Sequence, residues 1–189
     1  MAGSQQQAPD PRNADVLICL NGQLVPRAKA RVSLYDGGFV CGDGIWEGIR
    51  LHQGALLFLD EHLARLYWGA GRIGLDIGMD RAALAGELRR TLAANRMHDG
   101  VHVRLMVTRG EKSALNQDPR NALGRPTVAI VAEYKVPAPE LASAGVVLAT
   151  SSVLCTPATM FDMRLNSHSR LNLIAALLQA IDAGADEAL

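Results

Sequence analysis

The chain has 189 residues, 49% hydrophobic and 20% charged, a balance that supports a buried core and excludes intrinsic disorder as the default. Nineteen basic residues offset nineteen acidic ones, so no net field draws the protein to a nucleic-acid backbone or an anionic membrane. A small-molecule partner is the expectation that remains.

The opening stretch, 1–15, is rich in Gln, Pro, Asn and Asp and reads as a flexible tail without a signal-peptide core. Order is expected from Val16. Val16 to Leu20, a tight turn at Asn21-Gly22 and Gln23 to Val25 read as a hairpin; Ile45 to Leu51, Gln53-Gly54 and Ala55 to Leu59 read as a second. Asp60 is expected to cap a helix whose apolar positions Leu63, Leu66 and Tyr67 recur at helical spacing, and a second helix is predicted from Asp80 to about Asn95. Strands follow at Val101 to Thr108 and Thr127 to Tyr134, joined by the polar loop Arg109–Pro126, long enough to suggest a functional role.

Val136-Pro137-Ala138-Pro139 interrupts regular structure, so a boundary is placed there. The expected organisation is a small two-layer α/β (α+β) domain over 16–135, an inter-domain linker over 136–145 and the beginning of a larger domain over 146–189. The apolar run Val146 to Leu154 opens that later unit. A helix from about Ser169 to Asp182, apolar on most sides, wants burial. One strand and one helix cannot supply it, which implies an incomplete chain or a partner. The final Gly184-Ala185-Asp186-Glu187-Ala188-Leu189 reads as a turn entering another strand.

Cys19, Cys41 and Cys155 are widely spaced and odd in number, so they read as reduced, packed thiols and not as a disulfide framework or metal site. The apolar run Leu171 to Ile181 is too short to span a bilayer, and a cytoplasmic location follows by default. Gly69-Ala70-Gly71-Arg72-Ile73-Gly74 fits a dinucleotide-binding pattern, but that motif works as a turn between strand and helix, and here it continues a helix. His62 and His168 lack partners at metal spacing and read as structural. Arg65 follows Glu61 by one turn, the spacing of a weak surface ion pair. In Val101 to Thr108, strict alternation puts His102, Arg104, Met106 and Thr108 on one face. That face is either a solvated sheet surface or a wall from which Arg104 grips a carboxylate with its planar fork.

Taken together, Asn21-Gly22, then Gly42-Asp43-Gly44-Ile45-Trp46-Glu47-Gly48-Ile49-Arg50, then His62-Leu63-Ala64-Arg65-Leu66 resemble the opening of class IV aminotransferases. That family includes branched-chain and D-amino-acid aminotransferases and aminodeoxychorismate lyase. Val103-Arg104-Leu105 through Thr108-Arg109-Gly110, and Gly184-Ala185-Asp186-Glu187-Ala188, extend the match over nearly all of the chain after the tail. The resemblance implies a fold type IV enzyme with pyridoxal 5′-phosphate between a small and a larger domain, acting on a small amino acid or keto acid, and commonly a homodimer.

The same resemblance implies that Arg65 contacts the cofactor phosphate, which displaces the surface-pair reading, and that Arg104 lies near the substrate carboxylate, with Trp46 and His102 beside the substrate. Family members usually carry Arg-x-Lys where this chain has Arg164-Leu165-Asn166, so Asn166 holds the position of the lysine that binds the cofactor as a Schiff base and carries the proton. An amide does neither. Lys29, Lys112 and Lys135 are the chain's lysines, and nothing in the sequence aims Lys112 toward a cleft. Two readings follow: an aminotransferase or related lyase, or an inactive homologue that binds or regulates. A nucleotide-binding module built on Gly69–Gly74 requires a strand directly before Gly69.

Overall fold

The computed structural model describes residues 9–135 and 144–189. The break expected at Val136–Pro139 lies outside the described residues. The chain divides into two compact units, one of Asp10–Lys135 with Arg164–Ser169, the other of the remaining segments. The short Arg164–Ser169 segment, expected with the later domain, thus clusters with the earlier one.

The larger unit is built on a six-stranded sheet of β1 (Leu17–Leu20), β2 (Gln23–Pro26), β3 (Gly44–His52), β4 (Ala55–Leu56), β5 (Val101–Thr108) and β6 (Thr127–Tyr134). The spatial order is β2-β1-β6-β5-β3-β4, and the paired strands run antiparallel. Both expected hairpins form. Asn21 and Gly22 have φ of 50° and 78°, and Gln53 and Gly54 have 48° and 82°, the doubly left-handed backbone of a two-residue turn whose twist matches the strands. Helices α1 (Gly37–Cys41), α2 (Leu59–Arg72) and α3 (Arg81–Ala94) complete the unit.

Alternation in β5 decides which side of the sheet is core. Val101, Val103, Leu105 and Val107 are fully buried, while His102, Arg104, Met106 and Thr108 on the other face are half-buried. Leu63 and Leu66 of α2 and Leu84, Leu88 and Leu92 of α3 join the same core, and each such side chain contributes about 1.5–3 kcal/mol when removed from water.

Local chemistry moves several boundaries. The second hairpin's return strand ends at Leu56 rather than Leu59, because Phe58 turns left-handed (φ 51°) and takes the N-cap position of α2. Asp60 therefore lies in the first helical turn, where its charge favours the helix dipole, and does not cap the helix. Asp80 caps α3 as expected, its carboxylate accepting from the Ala83 amide at 2.7 Å. The unanticipated α1 starts at Asp36, whose buried carboxylate accepts from the Gly38 amide and from the Thr108 and Thr127 hydroxyls, and stops at Gly42 (φ 68°).

Gly69 and Gly71 sit inside α2, and Gly74 (φ 59°) follows its C-cap. Arg109 donates to the Ile73 and Gly74 carbonyls there while pairing with Asp43. Helix α2, not a strand, runs directly into Gly69, so the nucleotide-binding reading falls.

Order begins before Val16. Pro11–Asn13 form a 3-10 turn, Arg12 stacks 3.8 Å over the Tyr134 ring, and buried Asn13 exchanges hydrogen bonds of 2.9 and 2.8 Å with the Tyr134 backbone. An asparagine amide can mimic a peptide at a sheet edge, which composition did not reveal.

The smaller unit contains β7 (Leu148–Ala149) and β8 (Glu187–Ala188), paired in parallel, and α4 (Leu171–Asp182). The entry into a final strand is observed. The expected strand over Val146 to Leu154 shrinks to Leu148–Ala149, and α4 starts two residues after Ser169. Apolar α4 does not obtain the burial it was expected to need: Leu171, Ile174, Leu178 and Ile181 are exposed, and Ala180 alone among its residues is buried. Cys19 is packed as expected, with its thiol pushed upward by burial and by the Glu87 carboxylate, whereas Cys41 and Cys155 are exposed. Small residues near turns do not carry enough apolar area to be drawn inward. Among the described residues no helix is long and apolar enough to cross a membrane.

Replacing Asn13 by Ala should lower the unfolding free energy by about 1–2 kcal/mol, because two bonds to buried backbone groups disappear. Chemical denaturation reads this directly. Unchanged stability would show that residues before Val16 are not docked.

Candidate functional site

Strand β3 carries different chemistry on its two faces. Ile45, Glu47, Ile49 and Leu51 point to the core, and Trp46, Gly48 and Arg50 to the other side. Glu47 breaks an otherwise apolar row, and its side chain is only 1% exposed. A lone carboxylate there would be expensive. Helix α2 answers it: Arg65 Nε donates to Oε1 at 2.7 Å and Nη2 to Oε2 at 2.5 Å, and His62 Nδ1 lies 2.8 Å from Oε2. Because a carboxylate only accepts, His62 Nδ1 carries a proton in this contact. Glu47's hydrogen bond holds the Arg65 guanidinium proton even more firmly than in an ordinary arginine.

Arg65 therefore pairs with Glu47, three-dimensionally adjacent, and not with Glu61 one turn earlier in the sequence. The fork uses Nε–H and one Nη2–H, and the guanidinium remains half exposed. Nη1 has no hydrogen-bond partner among the described residues, so three N–H groups face outward. His62 is structural, as expected. Glu47 was not anticipated, although its place in the Ile45–Leu51 alternation was a readable signal that a buried cation had to be nearby.

On the opposite face, the Arg104 guanidinium stacks 3.3 Å over the Trp46 ring. Such stacking uses the face of the guanidinium, not its N–H edge. His102 stands next to it, opposite Arg50 across the β3–β5 pairing. A Cβ on Gly48 would come within 2.8 Å of His102 Nε2, so glycine makes the room that this ring occupies. Burial, then the charges of Lys135, Arg104 and Arg50, holds the His102 imidazole below its ordinary value of 6.5. It is neutral at pH 7. The polar face is thus a half-buried platform of Trp46, His102 and Arg104.

The Arg164–Ser169 segment lies along β3 as a short antiparallel addition. The Trp46 amide donates to the Asn166 carbonyl at 2.9 Å, Ile45 pairs with Ser167, and the His168 amide donates to the Gly44 carbonyl. The Trp46 indole Nε1 also donates to the Ser167 carbonyl at 3.0 Å. This register sets Asn166 opposite Trp46. Buried Leu165 falls on the other side, against Ile45 and Gly69 of α2. Gly69 is one helical turn beyond Arg65, so the segment bearing Asn166 touches the element that presents Arg65 and the strand residue that stacks on Arg104.

The chain's three lysines are elsewhere. Lys112 is 2% exposed and donates from Nζ to the Asp118 carbonyl at 2.8 Å, stabilising the loop between β5 and β6. Lys29 and Lys135 are exposed at the end of a turn and of β6. No group of His, Cys, Asp and Glu suited to a metal ion occurs among the described residues. The arrangement fits a phosphate or carboxylate ligand, whereas an amine suited to a covalent carbonyl anchor is not provided at Asn166.

Residues 44–189 match the family model described as amino-transferase class IV. The chain is 32% identical over 181 residues to branched-chain-amino-acid aminotransferase-like protein 2 of Arabidopsis thaliana, spanning 96% of this chain and 32% of that protein. It is 39% identical over 100 residues to the D-alanine aminotransferase of Bacillus licheniformis, spanning 53% of this chain and 35% of that one. Among solved structures, the branched-chain aminotransferase of Thermoproteus uzoniensis with norvaline superposes with a TM-score of 0.79 at 26% identity. That match covers 92% of this chain and 59% of the other. The chain therefore spans less than two thirds of the length of each of these relatives.

With His102 depressed, the folded protein binds fewer protons than the unfolded chain in the window from 6.5 down to the folded value. This contribution to stability is present above that window and is lost as pH falls through it. His102→Gln should consequently show a shallower drop of Tm below pH 6.5 than the natural protein. Identical slopes would contradict the neutral, crowded imidazole.

Proposed function

The chain belongs to the class IV aminotransferases, and on that premise we propose that it forms part of a pyridoxal-phosphate-dependent aminotransferase or related lyase acting on a small amino acid. The observation that carries this reading is the outward edge of Arg65, locked from behind by Glu47 and suited to a phosphate monoester. Pyridoxal phosphate, when bound, supplies an electron sink for bond cleavage at the substrate α-carbon. Arg65 holds the phosphate. Arg104, flattened against Trp46, presents a planar cation to the substrate carboxylate, and neutral His102 accepts or donates a hydrogen bond beside it without adding charge.

Asn166 stands at the position of the family lysine. Its amide orients polar groups by hydrogen bonding and forms no covalent link to the cofactor. A second reading, a homologue that holds the cofactor without turning over, is favoured by the burial of Lys112 against the Asp118 carbonyl, which withdraws the one buried amine from service. We further place the protein in the cytoplasm, in keeping with its three free thiols. A homodimer is proposed on the exposed Leu34, Phe39, Leu115 and Leu123 of the larger unit.

Equilibrium dialysis against pyridoxal 5′-phosphate should show saturable binding that Arg65→Ala weakens by about 1.5–3 kcal/mol, the loss of a charge-assisted pair. Equal binding by the variant would overturn the site. Borohydride reduction followed by peptide mass mapping should find no cofactor on a lysine of the natural protein and an adduct on the new lysine of Asn166→Lys. Labelling of Lys112 in the natural protein would refute the inactive reading. Transamination by Asn166→Lys but not by the natural protein would support it.

A further inference from the structure

We propose that Glu47 is a positioning residue that turns Arg65 into an oriented receptor for a phosphate monoester, with His62 holding Glu47 in place. The inference rests on the reading of Arg65 as the phosphate anchor and deepens it. A carboxylate inside an apolar row of β3 is a poor choice for stability alone, since a well-packed apolar residue in place of a buried ion pair is often neutral or stabilising. Its geometry explains it better. Both carboxylate oxygens are engaged by the guanidinium, Oε1 by Nε and Oε2 by Nη2, so the plane of the guanidinium is fixed relative to β3 and not only its position.

His62, one turn before Arg65 in α2, contacts the same Oε2 and closes off rotation of the carboxylate. The inner edge of the fork is occupied, and the outer edge, carrying both Nη1 hydrogens and the second on Nη2, is left for the ligand. An untethered, half-exposed arginine would sample many rotamers and lose that entropy on binding. The tethered one has lost it during folding.

Electrostatics alone makes the opposite forecast, which gives the test its sign. Glu47 is negative and close to the anion, so neutralising it without disturbing Arg65 would strengthen phosphate binding. If Glu47 positions Arg65, neutralising it weakens binding.

The measurement is titration of the purified protein with pyridoxamine 5′-phosphate, whose amine forms no imine with lysine, compared with pyridoxamine lacking phosphate. In the natural protein the phosphorylated ligand should bind more tightly than its dephosphorylated form. Glu47→Gln should weaken the phosphorylated ligand about tenfold, the scale of one charge-assisted hydrogen bond, and leave the dephosphorylated ligand unchanged. Unchanged or tighter binding by folded Glu47→Gln overturns the positioning role. If Arg65→Ala also binds as the natural protein does, the anion-site reading itself falls; if only Arg65→Ala loses binding, the role of Glu47 alone falls.

A second measurement does not depend on a variant at Glu47 folding. In ¹⁵N spectra of the unliganded natural protein, the Arg65 Nε–H signal, assigned by its loss in Arg65→Lys, should show hindered rotation of the guanidinium. Free rotation overturns the proposal.

Discussion

A carboxylate on the core side of β3 constrains much of what surrounds it. Left alone, an ionised Glu47 would cost several kcal/mol in an apolar interior. Its satisfaction requires α2 to lie with His62 and Arg65 over β3, which also brings Leu63 and Leu66 into the core. One polar contact therefore fixes the roll of a helix whose packing is otherwise non-directional. The outward edge of Arg65 is a consequence of that inward commitment, so the phosphate recognition proposed for it would follow from a structural necessity.

The other face of β3 uses a different device. Arg104 lies against the flat surface of Trp46, and His102 fits because Gly48 has no side chain. The Arg164–Ser169 segment connects these arrangements: its backbone binds Trp46 and its Leu165 packs by Gly69 in α2. The residue at position 166 is thus rigidly placed by hydrogen bonds that do not depend on its side chain. An amide or an amine at that position would ride on the same backbone, which separates the question of fold from the question of chemistry.

The sheet was readable because its signals are local. Two-residue turns need left-handed φ, which Asn21-Gly22 and Gln53-Gly54 advertise, and strict alternation announces β5. Asp80 announces α3 because a cap works within three residues. Other features depend on distant partners: Asn13 docks on Tyr134, more than a hundred positions later, and Glu47 finds Arg65 across a strand and a helix. Phe58 in a left-handed cap has no polar side chain to signal it. Site candidates came from the family resemblance, and residue pattern alone would have left Arg65 in a surface pair with Glu61. What the pattern does contain is the parity of Glu47 among Ile45, Ile49 and Leu51.

The most direct test is a crystal structure of the protein grown with pyridoxamine 5′-phosphate. The ester phosphate should lie within hydrogen-bond distance of Arg65 Nη1 and Nη2 while Nε remains on Glu47. A phosphate bound elsewhere, or an Arg65 that leaves Glu47 to meet it, would contradict an anion site assembled in advance by the fold.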